Sequence, residues 1–270
     1  MARLERLDET EDDRVLSQPD NKHSGITFIL TSCGRFDLLE KTLESFLDHN
    51  TAAIERYLVI DDSGDNAVHN VTRNCKVPIE VIVNKPVVGQ MTSIDRAYST
   101  VRTPYVFHCE DDWVFFRSCF IEESLILLQS DPTISVVSCR RLTQKPLLAE
   151  ILKQPVRSLG NVEFLFPAPD WSRLWDGYTF NPGLRRMADC KPLGSFAKWG
   201  RESDVSLEFK RKGMRIAYLA EPACETIGAE NRLPKMKPPR PIKAHLNRAW
   251  SIWNHFIKIP VRKLFSTSKW

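Results

Sequence analysis

Three consecutive carboxylates, Glu110-Asp111-Asp112, follow the apolar run Tyr105 to Cys109 and precede Trp113. Like charges packed together raise one another's pKa and are costly unless a cation or a basic partner compensates them. A hard divalent ion, Mg²⁺ or Mn²⁺, would relieve that cost with one or two carboxylates and leave the rest of its shell to phosphate oxygens. A solvated acidic turn would share the same composition. A second pair, Asp61-Asp62, closes the run Tyr57 to Ile60 and continues into Ser63-Gly64. A carboxylate there could accept hydrogen bonds from a base edge or a ribose, or the four residues could simply make a turn.

Other chemistries have no footing. There is no Walker A, GxGxxG or GxGxR run, which disfavours a nucleotidyltransferase or dinucleotide enzyme, and the six histidines show no HxH or HExxH spacing. Seven cysteines are scattered without a CxxC pair, as reduced structural thiols would be.

The elements that must position the carboxylates read as an alternation. The runs Ile26 to Thr31, Tyr57 to Ile60, Ile79 to Val83, Tyr105 to Cys109 and Ile134 to Ser138 are strand-like and end in turn residues. Helical patterns lie between them, with Leu38, Leu39, Thr42, Leu43, Phe46 and Leu47 on one face, then Met91 to Val101 and about Ser118 to Gln129. This predicts an α/β fold with a mostly parallel central sheet covered on both faces. Ligands bind such sheets at the carboxyl ends of the strands, where Thr31, Asp61, Asp62 and the Glu110 run would meet. Arg140 to Leu193, rich in Pro, Trp and Phe with little periodicity, reads as long loops over an acceptor site. A helix over Arg201 to Lys212 and a strand over Met214 to Leu219 follow.

The set ITFILTSCGR, YLVIDDSG and CEDDW resembles the family 2 inverting glycosyltransferases with the GT-A (Rossmann-like) fold, and the carboxylate run resembles their DxD motif. The stretch from EDDW to SVVS is also similar to N-acetylglucosaminyltransferase I-like enzymes. The resemblance implies transfer of a sugar from a nucleotide-diphosphate sugar, with UDP-sugars favoured, to an acceptor hydroxyl on a glycan or lipid-linked glycan, assisted by Mn²⁺ or Mg²⁺. By position, Thr31 and Cys33, with Arg35 beside them, would border the base pocket. Asp62 would contact the base with Asp61 next to it, and Asp112 would hold the metal with Asp111 or Glu110 assisting. Gly89 and Gln90 fall near the diphosphate, and the turn holding Asn181 and Gly183 near the donor sugar or acceptor. The family's general base is a carboxylate just before a helix that ends in a Gly-initiated strand, which Glu202 or Asp204 fits. Thr226 stands where many relatives carry a metal-binding histidine, so either the ion has one protein ligand fewer or Glu225 substitutes. A catalytically silent GT-A-like module binding a nucleotide or glycan is the competing reading.

Three segments follow: a disordered polar tail over 1–24, a glycosyltransferase domain over 25–232, and a Pro-rich basic linker with an amphipathic helix over 233–270. The polar, acidic N-terminus lacks the apolar core of a signal peptide and argues for the cytoplasm. From Asn231 to Trp270 there are ten Lys or Arg residues and no carboxylate. Leu246, Trp250, Trp253, Phe256 and Ile257 recur there at helical spacing, which suits either an anionic membrane surface or docking on the catalytic domain. Nucleic acid is disfavoured, because no recognised module accompanies the charge.

Overall fold

Uniform burial of short apolar runs is what a parallel sheet covered on both faces requires, and β1 (Ile26–Ser32) is buried at every residue. The computed structural model describes residues 25–169, 171–228 and 242–253. The 1–24 tail, the linker over 233–241, and Phe256 and Ile257 lie outside the described residues. The chain continues through α1 (Phe36–His49), β2 (Arg56–Asp61), α2 (Val68–Arg73), β3 (Ile79–Val83), α3 (Gln90–Ser99) and β4 (Tyr105–Glu110). Next come β5 (Trp113–Phe115), α4 (Phe120–Ser130), β6 (Ile134–Ser138), α5 (Pro146–Ala149), β7 (Arg157–Leu159) and β8 (Val162–Leu165). The series ends with β9 (Gly183–Arg186), α6 (Met187–Cys190), α7 (Glu202–Arg211), β10 (Arg215–Leu219), β11 (Cys224–Thr226) and α8 (Ile242–Ile252).

The main sheet runs β3-β2-β1-β4-β9-β6-β10-β8-β7. β3, β2, β1 and β4 are parallel neighbours, as are β6 and β10. Alternation along each strand feeds two cores. Phe28, Phe107 and Cys109 join one, around Phe46 of α1, whose ring centroid lies 4.1 Å from that of Phe28 and 5.2 Å from that of Phe115. Ile29 and Val106 join the other, where Tyr178 stacks on Phe209 of α7 at 4.3 Å.

The segment Arg140 to Leu193 departs from the expectation of long loops, because it contains β7, β8, β9 and short helices. β9 pairs antiparallel with both β4 and β6 and so fills the middle of the sheet. Its four residues, GLRR, carry no apolar signal. Arg185 is nevertheless buried, with Nη1 donating to Tyr98 Oη at 3.2 Å and Nη2 to the Asn181 and Gly183 carbonyls at 3.1 and 3.0 Å. Since β9 runs against β4, its beginning lies beside the end of β4, and Asn181 is thereby delivered to the acidic run.

One glycine controls the loop before β9. A Cβ on Gly177 would stand 2.0 Å from the Ser206 carbonyl oxygen and 2.6 Å from the Lys210 backbone nitrogen. Its absence lets the Gly177 and Tyr178 N–H groups donate to Ser206 Oγ of α7 at 3.2 and 3.1 Å. The obstacle is backbone, which does not swing aside. Gly177→Ala is therefore expected to destabilise the fold by about 1–3 kcal/mol, read as a melting midpoint lower by several degrees.

Candidate active site

The carboxyl ends of β1, β2 and β4 lie side by side, with Thr31 in register with Ile60 on one side and Glu110 on the other. The turns leaving them make the site. After β1, Gly34 adopts φ 75°, and its N–H donates to Asp61 Oδ2 at 3.0 Å. Arg35 then reaches the acidic run: its Nη2 pairs with Asp111 Oδ1, and its Nη1 lies 3.2 Å from Asp112 Oδ2. Cys33 is half-buried, and its thiol is pushed up by burial and by Asp62 and Asp61 beside it.

Asp61 and Asp62 are less available than their spacing suggested. Asp61 is fully buried and accepts from Gly34 N and from Ser63 N and Oγ. Asp62 is 5% exposed; its Oδ1 accepts from Asn84 Nδ2 at 3.0 Å and Val88 N at 2.9 Å, and its Oδ2 from Gly89 N at 2.7 Å. The pair thus orders the loops after β1 and β3 through backbone and side-chain donors. Gly89, at φ 87°, opens α3 and places Gln90 so that its Nε2 donates to Glu110 Oε1 at 2.8 Å.

Around Glu110 the remaining parts converge. Asn181 Nδ2 donates to Glu110 Oε2 at 3.3 Å, while Asn181 Oδ1 accepts from Arg140 Nη1. Packed surroundings, followed by Asp112, Glu202 and Asp111, push the Glu110 carboxyl up to about 8, against the opposing pull of Arg35. Burial raises Asp111 to about 6, although Arg35 counteracts it. Gly183 lies inside β9, where a Cβ would come 2.3 Å from the Val137 carbonyl oxygen, so close strand packing accounts for the glycine.

The two base candidates separate. Glu202 Oε1 accepts from Thr179 Oγ1 at 2.8 Å and Phe180 N at 3.0 Å, which fixes it in the crevice that holds Glu110 and Asn181. Asp204 is fully buried on the other side of α7 and pairs with Arg248 of α8 at 2.7 Å. Residues two apart on a helix point in nearly opposite directions. Asp204 thus belongs to the ion pair that joins α7 to α8.

Among the described residues no three His, Cys, Asp or Glu side chains gather closely enough to hold an ion unaided. Glu225 pairs with Arg141 at 2.7 Å. Thr226 lies opposite Trp113 in the β5–β11 pair, and Ile227 N donates to the Asp112 carbonyl at 2.9 Å. What the site offers is hard oxygen at the partly exposed Asp112, with Asp111 next to it. A divalent ion that keeps waters and shares a diphosphate needs only one or two carboxylates, so this donor set fits that use.

Arg140 was not anticipated. It is 4% exposed, lies 5.0 Å over the Trp113 ring and bonds Asn181, and burial lowers its pKa despite Tyr218, Cys224, Glu110 and Glu202 nearby. Its place directly after β6, at the carboxyl end of a parallel strand, was the signal that could have found it.

The family model for glycosyl transferase family 2 matches residues 27–189. The chain belongs to that family. Among solved structures, a mannosyltransferase from Pyrobaculum calidifontis, PcManGT, in complex with GDP-Man and Mn²⁺, superposes with a TM-score of 0.57 at 13% identity, covering 90% of this chain and 78% of that one. That likeness establishes the GT-A fold. No match was found among curated proteins. As a family 2 glycosyltransferase, the protein has at its strand ends the acidic run that the sequence singled out.

The raised carboxyls make stability depend on pH. Stability linked to Glu110 is fully present below its ordinary value of 4.5 and is lost as pH rises through about 8. In metal-free protein, Glu110→Gln should flatten that decline, gaining about 1–2 kcal/mol over wild type near pH 8.5 in denaturant titrations. Parallel curves for the two proteins between pH 5 and 8.5 would contradict it.

Proposed function

We propose that the protein transfers a hexose from a nucleotide-diphosphate sugar, with UDP-sugars favoured, to an acceptor hydroxyl on a glycan or lipid-linked glycan, with inversion at the anomeric carbon. The observation that carries this reading is the convergence of three separate parts of the chain at one end of the parallel strands: the Glu110–Asp112 run at the end of β4, Asn181 before β9 and Glu202 at the start of α7. The nucleoside would lie toward Thr31, Cys33 and the Asp61-Asp62 turn, and the diphosphate toward Gln90 and Arg35.

Mn²⁺ or Mg²⁺ would be held by Asp112, with Asp111 beside it as in a DxD motif, and when bound would neutralise the charge of the departing nucleoside diphosphate. The chain's own residues account for the rest. Glu202 Oε1 is committed to Thr179 and Phe180, so Oε2 faces the acceptor and takes its proton as the hydroxyl oxygen attacks the anomeric carbon. The bond from that carbon to the diphosphate oxygen breaks, and its electron pair leaves with the diphosphate. Arg35, already between Asp111 and Asp112, supplies fixed positive charge at the same place. Asn181, oriented by Arg140, positions the donor sugar or the acceptor. A lipid-linked acceptor would put the enzyme at the cytoplasmic face of a membrane, a setting that suits its basic C-terminal segment.

The test is metal-dependent turnover of a panel of nucleotide-sugars, with thermal shifts by nucleoside diphosphates measured alongside. Glu202→Gln is expected to lower kcat by about 10²–10⁴-fold while leaving the nucleotide-induced thermal shift in place. Asp112→Ala should instead weaken Mn²⁺-dependent nucleotide binding by at least about tenfold. No nucleotide-sugar turned over or bound with either ion, together with wild-type behaviour of both variants, would leave the silent-module reading. Proton NMR of the product anomer decides inversion.

A further inference from the structure

α8 turns its polar side toward the protein. Asn247 and Ser251 are buried, at 5% and 2% exposure. Asn247 Nδ2 donates to Glu208 Oε2 at 2.9 Å, Ser251 Oγ to the Arg173 carbonyl at 2.8 Å, and Arg248 Nε to Asp204 Oδ1 at 2.7 Å. Asp204 and Glu208 are both buried carboxylates of α7. Rotating α8 about its axis would take away these donors, and groups of that kind are expensive to leave without them. Directional bonds therefore set the helix's orientation.

At 100° per residue, the opposite side carries Ile242 and Leu246 within a narrow arc, which Trp253, the residue directly after the helix, continues. They are 79%, 65% and 55% exposed. A helix that served only its own core would show the reverse arrangement. The surrounding sequence is cationic, with ten Lys or Arg and no carboxylate from Asn231 to Trp270. That charge speaks against a second copy of the chain as the occupant, since like would meet like. It complements anionic headgroups, into whose boundary indole and aliphatic side chains insert while the cations stay at the surface.

We propose that α8 is an interfacial helix that seats the protein on an anionic phospholipid surface through Ile242, Leu246 and Trp253. The helix is joined to the first turn of α7: Arg248 also donates to Ser203 Oγ at 2.8 Å, one residue from Glu202. The bilayer contact and the base are thus separated by one helix, and an acceptor anchored in the bilayer would be presented near that base. The proposal rests on the lipid-linked acceptor only for its purpose, because vesicle binding requires neither donor nor turnover.

The experiment is co-sedimentation of the full chain with phosphatidylcholine vesicles containing about a quarter phosphatidylglycerol, and with phosphatidylcholine alone. Wild type should pellet with the anionic vesicles, less with the neutral ones, and less again as salt rises. L246E combined with W253E should lower the partition by about tenfold or more at an unchanged melting midpoint. Absence of wild-type binding, or equal binding by the double variant, overturns the proposal. So does a melting midpoint lowered by several degrees, which would mean that the stripe packs on the chain itself. Conversion of a wild-type dimer to a monomer would assign the stripe to a second copy and overturn it likewise.

Discussion

The burial of consecutive carboxylates at the end of β4, with their mutual repulsion added to it, is the constraint to which the rest of the site responds. Glu110, Asp111 and Asp112 are consecutive, and Glu202 adds to the field that raises Glu110. Two like charges about 4 Å apart at a protein surface repel by about 4 kcal/mol at an effective dielectric of 20. The chain offsets this with groups from four separate places: Arg35 after β1, Gln90 at the start of α3, Asn181 before β9 and Arg140 after β6. None is a sequence neighbour of the run. The site therefore exists only when the sheet is assembled, which ties the stability of the fold to its chemistry.

β9 has the largest share in that assembly. Inserted antiparallel between β4 and β6, it turns two parallel blocks into one sheet and brings Asn181 to Glu110. Two close approaches make it feasible, at Gly177 against α7 and at Gly183 against β6. Buried Arg185 then ties β9 to Tyr98 of α3 and to its own approach loop. An arginine in that position binds carbonyls that a hydrocarbon side chain would leave unsatisfied.

The parallel half of the molecule was legible because its signals are local. β3 and β6 fall where their apolar runs fall, at Ile79–Val83 and Ile134–Ser138, and the acidic run lies at a strand end as the pattern required. β9 was illegible for a physical reason: GLRR is held by neighbours on both sides, so its strand state comes from pairing and not from propensity. Asp61 and Asp62 show a different limit. Their place at a strand end was evident, but whether a carboxylate faces a ligand or its own backbone depends on the Gly34, Ser63 and Gly89 N–H groups, which only the folded loops aim. Arg140 was passed over because nothing in its immediate sequence marks the partner, Asn181, that lies 41 residues away.

The first turn of α7 shows how one helix can send two carboxylates to different surroundings. Glu202 and Asp204 are interchangeable in a list of acidic residues, yet helix geometry sets them about 200° apart. Asp204 receives Arg248 and becomes part of the α7–α8 joint. Glu202 receives only neutral donors, Thr179 and Phe180, on one of its two oxygens. The same contact that settles Asp204 also sets the rotation of α8. The charge that α7 withholds from the crevice is thus what turns the apolar side of α8 outward.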